Sequence, residues 1–443
     1  MNRREFGVAL VGGVAAARAQ GRRAGGPEGQ RAAPLAAARS VNGSRLNGRL
    51  AELSKYGANP QGGVSRVAYS DFDKAARPVV MDWMKQAGLT VSIDYAGNIF
   101  GRKPGSDASL KPLVFGSHID SVPEGGNYDG NLGSLAAIEV AQVLAERSTT
   151  LRHSIEVVVW ANEEGGLYGS RAVSGQLTAA ELKNVSASKK TIEEGIAFIG
   201  GDPTRLQQMI RKKGDIAGYF ELHIEQGGIL EQTKTDVGIV EGIVGIKQWD
   251  VTITGFQNHA GTTPMDQRHD AMLSAARFTE MVNRVVRSVA GRQVGTVGRI
   301  QAFPGAPNVI PGKVVCSLEL RDLDDKKILS MYDTIMKEAK AIGNMNGTTF
   351  AYAELHTNVS APSDPRMRSV IAESAKALNL STRLMPSGAG HDAQSMAQLG
   401  PMGMIFIPSV GGISHSPKEF SKPEDCVNGA NVLMGAVLGA DKL

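Results

Sequence analysis

Histidine and carboxylate residues recur at five places in this chain, each beside glycines or at the end of an apolar run. His118 and Asp120 form an H-x-D pair. Asp129 lies in the loop GGNYDGN. Glu163 and Glu164 close the run IEVVVWAN. His223 is set in ELHIEQG, and His415 in GGISHSP. This mixture suits two adjacent divalent ions. Such ions repel each other, and a carboxylate shared between them lowers that cost. Imidazole and carboxylate ligands favour zinc, with manganese, cobalt or nickel also compatible. A pair of ions in this setting can hold a water as hydroxide at neutral pH and polarise a carbonyl. The chemistry in view is hydrolysis.

These residues need elements that deliver them to one place. Leu113–Gly116 is a short apolar run, as expected for a buried strand, and it leads straight into His118. Ser154–Trp160 is a second, β-branched strand, and it leads into Glu163. An apolar helix, Leu132–Leu144, separates them. That is βαβ logic, in which ligands gather outside the carboxyl ends of the strands. Upstream, helices are expected over Arg45–Tyr56 and Phe72–Ala87, the second ended by Gly88. Strands follow over Thr90–Tyr95 and Ile99–Arg102. From Gln248 the pattern changes: an alternating strand Trp249–Thr254, a helix Asp270–Arg287, strands around Gly295–Ala302 and Lys313–Arg321, and a helix Lys326–Ile342. This order suggests an α+β sandwich inserted into the first domain. Beyond Pro362, helix and strand resume with Arg368–Leu378 and Met402–Ile407.

The chain has 443 residues, which suggests two domains. Its net charge of +4 is not carried by the body of the chain. Arg3, Arg4 and Arg18 outweigh Glu5, and Arg22, Arg23, Arg31 and Arg39 outweigh Glu28, so residues 40–443 are close to neutral. A nucleic-acid binder would concentrate basic charge on its folded part. Arg3-Arg4-Glu5-Phe6, an apolar run Gly7–Ala17 and Ala17-Arg18-Ala19 together read as a twin-arginine export signal cleaved near Ala19. That run is shorter than the roughly 20 residues a spanning helix needs, so the expectation is a soluble periplasmic protein. Residues 20–39 read as a linker. Cys316 and Cys426 form neither a disulfide framework nor a CxxC metal site.

The segments GSHIDSVPEGGNYDGNLG, ANEEGGLYGS, ELHIEQG, NHAGTTPMDQRHDA, GAGHDAQSMA and GGISHSPKE stand in one order along residues 42–443. In this they resemble the M20 metallopeptidase clan, in its branch of N-carbamoyl-L-amino-acid hydrolases, allantoate amidohydrolases and β-ureidopropionases. The resemblance implies that Asp129 bridges two ions. His118 and His223 then complete one ligand set, and Glu164 and His415 the other. Glu163 is implied as general base. Asp120 is implied as the partner of the other ring nitrogen of His118. His259 would reach the active site across a homodimer and stabilise the oxyanion. Asn308 and Arg321 would hold the substrate carboxylate, to which an Arg fork is suited. Gln226 would bond the ureido end, and His391 would lie near the ions on the substrate side. His153, His269 and His356 match no ligand motif and read as surface or structural.

The expected fold is α/β. A catalytic domain with a central mixed sheet flanked by helices spans 40–247 and 363–443. An inserted α+β lid and dimerisation domain spans 248–362. The expected activity is metal-dependent cleavage of a C–N bond in an N-carbamoyl-L-amino acid or a related ureido acid such as allantoate or β-ureidopropionate. A clan peptidase or aminoacylase acting on dipeptides or N-acyl amino acids is the alternative, disfavoured by ELHIEQG and NHAGTTPMDQR. A non-catalytic binding protein with a degenerate site is disfavoured because every ligand and the base are present.

Overall fold

The computed structural model describes residues 40–443. The expected export signal (1–19) and linker (20–39) lie outside the described residues. Two sheets organise the remainder. The larger has nine strands: β1 (Thr90–Ile93), β2 (Ile99–Lys103), β3 (Leu113–His118), β4 (Ile155–Trp160), β5 (Gly218–Ile224), β6 (Val237–Ile243), β14 (Ala361–Pro362), β15 (Thr382–Ser387) and β16 (Met402–Ile407). The smaller has five: β7 (Gly245–Thr254), β9 (Val294–Thr296), β10 (Ile300–Phe303), β12 (Lys313–Asp322) and β13 (Thr349–Asn358). A ribbon of β8 (Asn258–His259) and β11 (Val309–Ile310) stands apart.

The nine-stranded sheet runs β1-β2-β4-β3-β5-β16-β6-β14, with β15 on β6. Its four central strands β4, β3, β5 and β16 are parallel, and antiparallel pairs flank them. Both faces are covered. Val157 and Val159 of β4 point into one core, and Val158 and Trp160 into the other. A strand buried on both faces reads as a continuous apolar run, which is why IEVVVW is legible. The first core is closed by α1 (Gly43–Leu53), α2 (Asp71–Gln86), α3 (Asn131–Glu146), α9 (Pro365–Ala377) and α11 (Pro423–Ala440). The second lies under α4 (Tyr168–Val173) and α10 (Asp392–Met396). Shorter helices α5 (Ile192–Phe198) and α6 (Ile229–Thr233) lie between β4 and β6 in the chain.

Helix α3 presses flat on the sheet. At Gly133 a Cβ would run into the Leu222 carbonyl, so only glycine lets the helix approach β5 this closely. Helix α2 starts on Ser70, whose hydroxyl accepts from the Asp73 amide, and it stops where Gly88 takes a φ of +77°. On the smaller sheet, α7 (Ala271–Ser288) and α8 (Asp325–Asn346) pack against Trp249, Val251, Cys316, Leu318 and Leu320. Asp270 and Asp324 cap their N-termini. Cys316 and Cys426 are free and buried.

Three expectations change. The strand expected around Gly295–Ala302 is broken into β9 and β10, both paired to β12. At the break the Ser317 hydroxyl accepts from the Arg299 amide, which interrupts the ladder. β3 runs two residues further than expected, so His118 is its last residue. β5 carried no apolar-run signal because Glu221 and His223 interrupt it, yet all of it is buried. Among the described residues, no helix is long and apolar enough to cross a membrane.

Candidate metal centre

The parallel strands all end on one side of the sheet, and the candidate ligands collect there. His118 ends β3, Asp129 lies in the following loop, Glu163 and Glu164 follow β4, His223 is near the end of β5, and His415 follows β16. The central atom group is Asp129. Its Oδ1 is 3.5 Å from His118 Nε2 and 3.1 Å from His223 Nε2. Its Oδ2 is 3.3 Å from His415 Nε2, which is 3.6 Å from Glu164 Oε2. The two oxygens of one carboxylate thus face two separate donor groups, His118–Asp129–His223 and Asp129–Glu164–His415.

Ring tautomers follow from the other nitrogens. His118 Nδ1 is 3.0 Å from the Asp120 carbonyl, and His223 Nδ1 is 2.9 Å from the Ile224 carbonyl. A carbonyl only accepts, so both rings carry a proton on Nδ1 and turn Nε2 toward Asp129. Against the cost of burial, Glu163 and Asp129 raise the proton affinity of His118, and Asp129 that of His223. The Gly130 amide donates to His223 Nε2, in keeping with a lone pair there. His118 Nε2 is fully buried and has no hydrogen-bond partner. Two imidazole nitrogens and a carboxylate oxygen converging in a buried space call for a cation among them, a proton or a metal. The donor set therefore fits a divalent metal of the zinc type.

Asp120 departs from expectation. Its backbone carbonyl, not its carboxylate, meets His118 Nδ1, and the carboxylate Oδ1 is 3.7 Å away. The carboxylate instead accepts from the amides of Glu163 and Glu164, each at 3.2 Å. That turn follows Asn162, whose φ is +54°, and its buried amides need an acceptor. Asp120 thus aims the two glutamates.

Glu163 is buried, with Oε2 3.6 Å from His118 Nε2. Burial pushes its carboxyl well above the ordinary range, against the pull of His118 and with help from Asp392, Glu164 and Asp129. Burial also pushes Glu164 up to about 7, reinforced by Asp129. A carboxyl kept near neutrality can take a proton and return it. Gln226, at a φ of +58°, donates through Nε2 to Asp129 Oδ2 at 2.7 Å, and its buried Oε1 has no partner. His391 is buried behind His223, with ring centroids 4.5 Å apart, and its Nε2 is 2.8 Å from Ser387 Oγ. Burial and His223 push its pKa well down, so the ring is neutral.

The remaining expected residues lie elsewhere. His259 is exposed on β8, and its Nδ1 accepts from the Gly261 and Thr262 amides, which leaves Nε2–H as an outward donor. The ribbon sets His259 opposite Val309, next to Asn308, whose carbonyl accepts from Ala260. Arg321 on β12 donates through Nε to Glu319 and through Nη1 to the Gly388 carbonyl, each at 2.6 Å. Gly388 belongs to the loop that leads to His391. Among the described residues, no hydrogen bond or ion pair joins His259, Asn308 or Arg321 to the Asp129 cluster. His153 is buried against the Lys111 carbonyl, and His269 meets the Gly347 carbonyl, so both are structural. The His356 side chain lies outside what is described.

Several polar residues here carried no readable signal. Glu221 accepts from Ser117, Tyr219 and the Ala393 amide. With both oxygens engaged it is a brace beneath His223, although it lies near enough to His223 and His391 to form a third potential ligand group. Asp392 is buried and its carboxylate oxygens have no partner. Arg66 is fully buried, and its guanidinium donates to the carbonyls of Leu53, Tyr56 and Ile119 and to Asn131 Oδ1. Glu419 holds the Asp129 loop from the far end of the chain. Only a spacing signal could have marked it, as the acid four residues after His415.

The family model for "Peptidase family M20/M25/M40" matches residues 114–439. The chain belongs to this family. The M20 chain is 39% identical over 402 residues to an N-carbamoyl-L-amino acid amidohydrolase of Geobacillus stearothermophilus, covering 90% of this chain and 98% of that one. It is 37% identical over 412 residues to a ureidoglycolate hydrolase of Arabidopsis thaliana, covering 90% and 87%. Among solved structures it superposes on a hydantoinase/carbamoylase family amidase of Burkholderia multivorans with a TM-score of 0.84, at 38% identity, covering 91% and 98%. This M20 chain is a hydrolase of carbon–nitrogen bonds other than peptide bonds.

Proposed function

We propose that this amidohydrolase cleaves an N-carbamoyl-L-amino acid or a related ureido acid, with two divalent ions held around Asp129. One observation carries the site: a single buried carboxylate whose two oxygens face two different imidazole-containing donor groups. The names of the relatives support the substrate class. His118, Asp129 and His223 would hold one ion, and Asp129, Glu164 and His415 the other. When bound, the ions supply Lewis acidity toward the attacked carbonyl and make a water acidic enough to react at neutral pH.

The chain's own residues do the rest. Glu163 takes the proton from the attacking water and returns it to the leaving nitrogen. Gln226 Oε1, lacking a partner within the fold, accepts from the ureido N–H. Arg321 and Asn308 take the α-carboxylate, and His391 keeps His223 in place from behind. His259 donates through Nε2 to the oxyanion, delivered from a second copy as the family resemblance implies. Residues 248–362 then serve as lid and dimer contact. Cleavage of a carbamoyl amino acid yields the amino acid and carbamate, which decays to ammonia and carbon dioxide. Zinc is the metal the ligands favour, and the N-terminal twin-arginine segment supports export to the periplasm.

The test is ammonia release from N-carbamoyl-L-amino acids, allantoate and β-ureidopropionate, with dipeptides scored by amine release. Turnover of a ureido acid by the wild type and not by Glu163→Ala is expected. Cleavage of dipeptides alone would overturn the substrate assignment.

A further inference from the structure

Two segments distant in the chain are locked together beside Asp129. Glu419 is 4% exposed and sits four residues after His415. Its Oε1 accepts from the amides of Tyr128 and Asp129 at 2.9 and 3.0 Å. Its Oε2 accepts from the Ser414 hydroxyl at 2.9 Å. The same hydroxyl lies 3.1 Å from Asp129 Oδ2. One residue along, the rings of Tyr128 and Phe420 meet edge to face at 5.7 Å. The loop crosses Glu419 so closely that a Cβ on Gly126 would collide with its carboxylate. Nothing cationic pairs with Glu419 among its described hydrogen bonds. A buried carboxylate in this setting is costly, and here its oxygens serve to fix two backbone amides and one hydroxyl.

We propose that Glu419 is a positioning residue that clamps the Asp129 loop to the His415 loop, so that Asp129 presents one oxygen to each donor group. Asp129 has two oxygens and one side-chain rotation that serves both groups. Rotation about its Cβ–Cγ bond would take Oδ1 away from His118 and His223, or Oδ2 away from His415. Glu419 fixes the backbone of Asp129 through its amide, and Ser414 fixes Oδ2 from the side. Because Ser414 and His415 are neighbours, the same contact sets the distance between the exposed imidazole and the shared carboxylate. The inference rests on Asp129 being the carboxylate shared between the ions.

The experiment uses zinc-loaded enzyme titrated with a chelator, with released zinc read by a dye. Glu419→Gln keeps the side chain's shape and an oxygen for the two amides. It places an N–H₂ opposite Ser414, which must then accept there instead of donating, so a charge-assisted contact gives way to a weaker neutral one. Ser414→Ala removes the same contact from the other side. Removal of such outer partners costs about 10- to 100-fold in metal affinity, so each variant should release zinc at correspondingly lower chelator concentration. The double variant should lose little more than Ser414→Ala alone, since that change already removes both the Glu419 and the Asp129 contacts of the hydroxyl. The stability of the metal-stripped chain to melting should fall only slightly for Ser414→Ala, as the loss of one hydroxyl's hydrogen bonds implies, and by less than the loss of zinc affinity. Zinc retention equal to wild type in both variants, or a loss that merely tracks a lowered melting temperature of the stripped chain, overturns the clamp. Asp129→Ala separates the two ideas: if it holds zinc as well as wild type, the ligand assignment itself is wrong, whereas loss there with no loss in Glu419→Gln and Ser414→Ala condemns the clamp alone.

Discussion

At Glu163 burial, with Asp392, Glu164 and Asp129 nearby, holds the carboxyl's proton affinity high against the pull of His118. Such a group suits proton transfer and is a poor choice for a permanent anion. Glu163→Gln keeps the volume and removes the proton acceptor. Turnover should fall by about 10²- to 10⁴-fold, the usual worth of a general base. Zinc content, measured by elemental analysis, should stay at the wild-type level, and a matching loss of zinc would make Glu163 a ligand instead. His415 behaves in the opposite sense. Its hydrogen bond to Asp129 pushes it up to about 9, so near neutrality the ring is protonated. Metal binds only the neutral ring. Below about 9 the ion must displace that proton, so affinity falls as pH falls, and binding at pH 7 should release protons. Calorimetry in buffers of different ionisation enthalpy would show this, and zero proton release would speak against His415 as a ligand.

At the scale of elements, Arg66 links the end of α1, the H-x-D turn and the start of α3. Arg66→Met would strand the Ile119 and Tyr56 carbonyls and Asn131 Oδ1, while the Leu53 carbonyl keeps the Tyr56 amide, and each stranded group costs about 1–3 kcal/mol. Urea unfolding should therefore show a loss of about 3 kcal/mol or more, and Arg66→Lys should recover only part of it. A loss below 1 kcal/mol would mean that water replaces the guanidinium. Arg66 also marks where the sequence was silent. The βαβ unit from β3 to β4 was legible because both strands are apolar on both faces and α3 is apolar nearly all round. β5 was not, because Glu221 and His223 break its run, and the buried partners of Glu221 are Ser117, Tyr219 and the Ala393 amide, those of His223 the Ile224 carbonyl and the Gly130 amide. The ligands were legible because their residue types and glycine settings are unusual for a structural role. Asp120, Glu221, Asp392 and Glu419 were misjudged or missed, because what a buried acid does depends on which amides surround it. No spacing rule encodes that.

At the scale of the whole molecule, the two sheets form one compact unit, yet His259 on its ribbon makes no described bond to the cluster. A second copy is the proposed source of that imidazole. Mixing a His259→Ala chain with a Glu163→Ala chain should restore measurable activity in confirmed heterodimers, because one of the two sites would then be intact. Inactive heterodimers would confine His259 to a role outside the chemistry. The arrangement of the large sheet bears on timing as well. β16 lies between β5 and β6, although β5 ends at Ile224 and β6 at Ile243, far up the chain from Met402. His415 and Glu419 come later still. A nascent chain that has not yet emitted Met402 has a gap in the middle of its sheet and lacks His415, one of the three proposed donors to the second ion. In the proposed two-ion centre, the group His118–Asp129–His223 is thus complete in the chain well before the group that needs His415.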